Sequence, residues 1–187
     1  MLVETCLFNI DIKGVLDSLG YNAYLLESKV KVKDITLNDV RMRKTFLHER
    51  EFNRYFSKNS NTIYFVKPSS RSAIIKALND PRVNGISVDN SNYKLVKKNL
   101  LNLSISNKKY LEIILNSSSS EVIRRAIEWG YRGARTIFSI CVEKVSDIWS
   151  PLSVFNYLIL HGASPSYVAS WLFTYPSELF INGTNVY

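Results

Sequence analysis

Short apolar runs alternate with polar and charged turns along most of this 187-residue chain. Runs rich in Val, Ile, Tyr and Phe that end in turn residues predict β-strands. The seven runs that meet this description span residues 2–8, 22–27, 40–47, 62–66, 83–88, 109–115 and 137–142. The run at 62–66, TIYFV, has no polar alternation, which is typical of a strand buried on both faces.

Amphipathic segments separate most of these strands. Apolar residues at helical spacing, with capping signals, predict helices at residues 11–19, 49–58, 71–78, 93–103 and 121–131, and in the tail at 150–160, 164–173 and 176–180. Residues 29–39 fit either an edge ribbon or a loop. Strands that alternate with helices predict parallel pairing through right-handed crossovers. We therefore expect a single α/β domain over residues 1–187, a TIM-barrel-like (β/α) barrel that is complete or has fewer than eight units, with an open doubly wound sheet as the alternative.

Charge is strongly segregated along the chain. All 24 Lys and Arg residues lie in residues 1–144, together with 14 acids, so this body carries a formal charge of +10. Residues 145–187 contain only Asp147 and Glu178 as charged groups and are rich in aromatic residues. A basic body indicates a polyanionic partner, and its even spread favours an extended phosphate surface over a membrane.

The length of the apolar runs and the first residues of the chain indicate the cellular compartment, which in turn predicts the state of the two cysteines. No apolar run is long enough to span a membrane, and the first residues lack a basic leader followed by an apolar stretch. We therefore expect a cytoplasmic protein. In that reducing compartment, Cys6 and Cys141 are predicted to be buried free thiols, and a disulfide between them is not expected.

The residues offer little for self-contained catalysis. The only histidines are His48, predicted at the surface, and His161, predicted at a helix end beside Gly162. Phosphate-binding glycine loops and nucleophile elbows are absent from the sequence. Glu112 lies within an apolar strand, and an inward Arg or Lys partner is the favoured explanation for it. The sequence therefore predicts no catalytic residue and no metal site.

Basic residues remain as the functional signal. They lie on the predicted strand at 40–47, beside other predicted strands, and in and just after the predicted helix at 121–131, where aromatic residues are interleaved with them. As a set they predict contacts to RNA phosphates without base readout. The candidate RNA-binding residues are Arg41, Arg43, Lys67, Arg71, Arg82, Arg124, Arg125, Arg132 and Arg135.

The second half of the chain resembles a known family. The residues that carry the resemblance are RVNGI at 82–86, KYLEI at 109–113, DIWSPLSV at 147–154, then Leu158, His161-Gly162, Tyr175-Pro176 and Ile181-Asn182. In order and spacing, over roughly residues 81–184, they are similar to RNase P protein component 3, the archaeal and eukaryal thirty-kilodalton RNase P subunit. The short chain resembles a trimmed, crenarchaeal-type version.

The resemblance implies a TIM-barrel-like fold related to polymerase-and-histidinol-phosphatase domains. It also implies a non-catalytic subunit of ribonuclease P, in which the RNA removes tRNA 5′ leaders with its own Mg²⁺ and the protein binds no cofactor. The implied partners are RNase P RNA, pre-tRNA indirectly, and the small α/β subunit called component 2, in a hetero-oligomer.

Two segments depart from the family pattern. Asn84 and Gly85 stand where the family's r-V-D segment has an acidic residue. Trp149 stands where its L-R-s-P segment has arginine. RNA binding is therefore expected to rest on the body. Two other hypotheses stay open: a metal-dependent phosphoesterase on the same barrel, and a protein-interaction scaffold that uses the aromatic residues of the tail.

Overall fold

The computed structural model describes residues 1–27, 38–47 and 62–183. The predicted helix at 49–58, His48 and most of the ambiguous segment at 29–39 lie outside these ranges. The predictions made for them stay predictions.

All seven predicted strands are present, with ends that shift by up to three residues. They are β1 (Val3–Leu7), β2 (Ala23–Glu27), β3 (Val40–Phe46), β4 (Thr62–Val66), β5 (Gly85–Val88), β6 (Tyr110–Ile114) and β7 (Arg135–Ser139). They form one parallel sheet in sequence order. The expected α/β, TIM-barrel-like fold is confirmed, as a nearly closed barrel with seven strands in the described ranges.

Helices connect the strands and cover the sheet. The described helices are α1 (Lys13–Ser18), α2 (Arg71–Asn79), α3 (Lys98–Ser106), α4 (Ser120–Tyr131), α5 (Pro151–Leu160), α6 (Pro165–Ala169) and α7 (Tyr175–Asn182). The helix predicted at 93–103 is divided instead. A 3₁₀ turn at Tyr93–Leu95 precedes α3, because Lys97 has an extended backbone with a ψ of 164°.

The barrel closes where the end of β1 meets the chain that follows β7. Val142 donates its N–H to Cys6 O at 2.8 Å and accepts one from Phe8 N at 2.8 Å. Helix α7 packs against β1, β2 and β7 and contributes Leu179 and Phe180 to the inner core. The tail is thus the closing part of the barrel.

Two apolar cores result from the alternation of side chains along each strand. The larger one lies between the sheet and its helices. The smaller one lies inside the barrel, where Phe65, Tyr110 and Ile137 of the strands pack with Leu179 and Phe180 of α7. The buried strands therefore carry apolar side chains on both faces.

The end of the tail is a continuous helix rather than two segments. A π turn at Ser170–Thr174 joins α6 to α7 directly before Pro176, which has no N–H to continue the regular hydrogen-bond pattern. Trp171 in this turn is fully buried, and a Cβ on Gly130 of α4 would overlap its indole ring. Trp171 therefore packs in the core and is not available to a partner surface.

Glu4 is the unusual group in the outer core. Its side chain is buried beside Tyr21 and the tail helices, where it accepts a hydrogen bond from Cys6 N at 3.1 Å. Burial raises the pKa of this carboxyl to about 8, from an ordinary value of 4.5. Glu4 is therefore protonated in the folded protein at neutral pH and ionised in the unfolded chain.

This difference makes folding stability depend on pH. Because the folded state holds the Glu4 proton between pH 4.5 and about 8, stability is complete below this window and falls as pH rises through it. Glu4→Gln removes the titration. Its free energy of unfolding relative to wild type should therefore rise by roughly 3 kcal/mol between pH 5 and pH 7 in urea denaturation. If the free energies of unfolding of the variant and of wild type differ by the same amount at both pH values, the pKa of Glu4 is not raised by folding.

Candidate nucleic-acid interface

The nine predicted RNA-binding residues do not form one surface. Arg43 lies inside the barrel, and Arg41 and Arg135 contact its inner core near the start of the strands. Lys67 and Arg71 follow β4, and Arg82 precedes β5. Arg124, Arg125 and Arg132 are exposed on or just after α4. Each group has to be considered separately.

The prediction that Arg43 contacts RNA is wrong. Its side chain is only 1% exposed, at the centre of the barrel. The guanidinium forms a bidentate ion pair with Glu112, in which Nη1 donates to Oε1 and Nη2 donates to Oε2 at 2.6 Å. Nε lies 3.0 Å from Glu27 Oε2. A side chain this enclosed reaches no external phosphate, whereas the inward basic partner expected for Glu112 is confirmed.

The remaining hydrogen bonds of Glu112 come from two serine hydroxyls. Ser87 Oγ donates to Oε2 at 2.5 Å and Ser139 Oγ donates to Oε1 at 2.6 Å. Burial alone would lower the pKa of Arg43, but Glu112 and Glu27 outweigh it and hold that pKa above its usual value. The buried charges are thus fully partnered, which suits a structural role better than acid–base chemistry.

Cys6 and Cys141 form a disulfide, so the prediction of free thiols is wrong. Their Cα atoms lie 4.3 Å apart although 135 positions separate them in sequence. Barrel closure brings them together, since Cys6 lies near the end of β1 and Cys141 follows β7. With Glu112 they are a trio of metal-type ligands among the described residues. The joined sulfurs offer no thiolate and Glu112 is held by Arg43, so this trio has no free ligand set.

Arg41 and Arg135 are partly exposed and pack on aromatic rings of the inner core. The Arg41 guanidinium lies 4.9 Å from the ring centroid of Phe180. Arg135 forms an ion pair with Glu178 and lies 4.7 Å from the ring of Tyr110. Both side chains are only partly exposed because α7 covers this end of the barrel.

Lys67 and Arg82 are each partnered by an acid. Lys67 Nζ lies 2.5 Å from Asp89 Oδ2, and Arg82 Nη2 lies 2.7 Å from Asp80 Oδ2. Although burial would raise the pKa values of both aspartates, their basic partners hold them below the usual value. Arg71 is exposed in the first turn of α2. These residues carry less net charge to a ligand than their number indicates.

The strongest basic site is a groove between α3 and α4, hereafter the α3–α4 groove. Its volume is about 290 Å³. Glu121, Arg125, Trp129 and Arg132 follow one another at helical spacing along the α4 side. The cations that line the groove are Lys94, Lys97, Lys98, Arg125 and Arg132.

The three lysines of this groove were missing from the predicted set. They lie within the helix predicted at 93–103, but the sequence alone does not show that this segment lies beside α4. Successive helices of a (β/α) barrel lie next to each other outside the sheet. This rule alone would have joined Lys94, Lys97 and Lys98 with Arg125 and Arg132.

No protein-family model and no curated protein matches this sequence. The fold has a solved counterpart. The chain is similar to a chain in a cryo-EM structure of archaeal ribonuclease P with mature tRNA, with a TM-score of 0.74 and 13% sequence identity. The match covers 97% of this chain and 90% of that chain. At this identity the similarity shows a shared fold.

The described helices also bear on membrane association. None of them is both long and apolar enough to cross a bilayer.

Proposed function

We propose that this chain is a non-catalytic protein subunit of a ribonuclease P ribonucleoprotein. The observation that carries the proposal is the full-length similarity in fold to a chain of archaeal ribonuclease P with mature tRNA. A common barrel alone hosts many functions. A match that spans nearly all of both chains, with no large unmatched part in either, narrows the range of functions that this barrel is expected to have.

The sequence resemblance supports the same proposal independently. Of the segments that resemble RNase P protein component 3, KYLEI lies at the start of β6 and DIWSPLSV leads into α5. We propose membership of that family in its short archaeal form. The partners proposed with it are RNase P RNA, pre-tRNA indirectly, and component 2, in the cytoplasm.

In this proposal the RNA performs the hydrolysis with its own Mg²⁺, and the protein stabilises the active RNA. The predicted residues that stay exposed enough for RNA contacts are Lys67, Arg71, Arg82, Arg124, Arg125 and Arg132. Such contacts neutralise phosphates, so they favour folded RNA in which strands lie close together.

Trp149 has a packing role where the family pattern has arginine. Its ring meets that of Tyr157 edge-on with centroids 5.2 Å apart, and its carbonyl accepts a hydrogen bond from Tyr21. The tail consequently offers no cation at this position. RNA binding is proposed to rest on the basic body.

The proposal is tested by adding the purified chain to RNase P RNA and pre-tRNA at limiting Mg²⁺. The rate of 5′-leader removal should rise, because protein cations replace part of the Mg²⁺ that the RNA needs to fold.

A further inference from the structure

The α3–α4 groove concentrates positive charge that the protein itself leaves uncompensated. Five cations line it against one carboxylate, Glu121, which gives a formal charge of +4. In the described part of the chain, no carboxylate lies within ion-pair distance of its three lysines or of Arg132. The pair of Arg125 with Glu128 spans 3.9 Å between two exposed side chains, which makes it weak.

This arrangement of charges favours the binding of an anion in the groove. Like charges around a concave surface repel each other and reinforce one another's field in the groove. Lys67, Arg82 and Arg135 each have an acidic neighbour instead, so their fields are partly cancelled. The groove is therefore the most electropositive of the basic sites described above.

The groove offers contacts to phosphates rather than to bases. Trp129 is 4% exposed and Tyr93 is 9% exposed, so neither ring is available to stack on a base. Its exposed polar groups are lysine and arginine donors and Glu121; asparagine and glutamine, which read adenine, do not line it. Where these lysine and arginine donors contact phosphates, they position a nucleic acid without reading its sequence.

We propose that the α3–α4 groove binds the sugar–phosphate backbone of RNA, with Lys97 and Lys98 as central contacts. The inference rests on the proposed function in taking RNA as the anion. It adds a specific site, three residues absent from the predicted set, and a sequence-independent mode of recognition.

The test compares two double variants that lose the same charge. Lys97→Gln/Lys98→Gln changes the groove, and Lys108→Gln/Lys144→Gln changes exposed lysines outside it. Affinity is measured across a salt titration for RNase P RNA and for an unrelated RNA of equal length. Circular dichroism verifies that both variants are folded.

The groove variant should bind both RNAs roughly ten- to thirtyfold more weakly near 0.1 M salt, with a salt slope smaller by about 1.4 to 1.8. The control variant should stay within about threefold of wild type. Equal losses in both variants would overturn the groove assignment, because net charge alone would explain them.

The remaining outcomes separate the two proposals. If wild type binds RNase P RNA and the groove variant binds equally well, the groove inference fails and the proposed function stands. If only the unrelated RNA binds, through the groove, the groove inference stands and the proposed function fails. Binding of neither RNA would overturn both and point to another anion, such as an acidic protein.

Discussion

Arg43→Met should lower the free energy of unfolding by roughly 3–5 kcal/mol. The substitution preserves much of the side-chain length but leaves the carboxylates of Glu112 and Glu27 without their basic partner inside the barrel. Water cannot compensate them there, since Glu112 is fully buried. Urea or guanidinium denaturation measures the loss.

Two comparisons show whether charge pairing is the cause. Arg71→Met changes an exposed arginine and should shift stability by less than about 0.5 kcal/mol. Adding Glu112→Gln to Arg43→Met removes one uncompensated charge, so the double variant should recover about 1 kcal/mol or more of the loss. If Arg43→Met is as mild as Arg71→Met, the pair does not stabilise the barrel.

Loss of the Cys6–Cys141 disulfide should cost about 4 kcal/mol of stability. The bond joins positions 135 residues apart and ties the two ends of the barrel together, so it removes much freedom from the unfolded chain. A reductant should therefore lower the melting temperature of the wild-type protein. Thiol titration of the unfolded, unreduced protein should find no free cysteine.

The matched control is Cys6→Ala/Cys141→Ala. It should melt near the temperature of the reduced wild type and should not respond to reductant. Two free thiols in the wild type, together with a melting temperature that reductant leaves unchanged, would contradict the bond.

The barrel was predictable because each strand is a compact apolar run between turn signals. The inward partner of Glu112 was predictable in kind, since a buried carboxylate requires a cation. Its identity was not, because Arg43 lies 69 residues away and became a neighbour only through the barrel. The same limit concealed the disulfide, whose cysteines meet across the closure of β1 and β7.

The sequence mispredicts helix boundaries where buried apolar residues in a turn have the same spacing as those in a helix. Tyr93 and Val96 are buried as helix residues would be, but they lie before α3, in the 3₁₀ turn and just after it. Pro176 indicated a helix start, whereas a π turn allows the helix to continue through it. Local pattern gives the burial of a residue more reliably than its backbone geometry.

The basic residues show the largest gap between sequence and structure. Composition indicated a polyanion partner, but it does not distinguish a cation buried with an acid, such as Arg43, from one left uncompensated, such as Lys97. That distinction depends on which elements become neighbours. It moves the centre of the proposed RNA contact to the α3–α4 groove.

Pre-tRNA cleavage by RNase P RNA tests the proposed function most directly. The rate of 5′-leader removal is measured at limiting Mg²⁺ with RNA alone, with the chain, and with the chain plus component 2. Heat-denatured chain serves as the control. The rate should rise with the folded chain, most of all with component 2 present, and should not rise with denatured chain. A rate that the folded chain leaves unchanged in both settings would contradict a role in ribonuclease P.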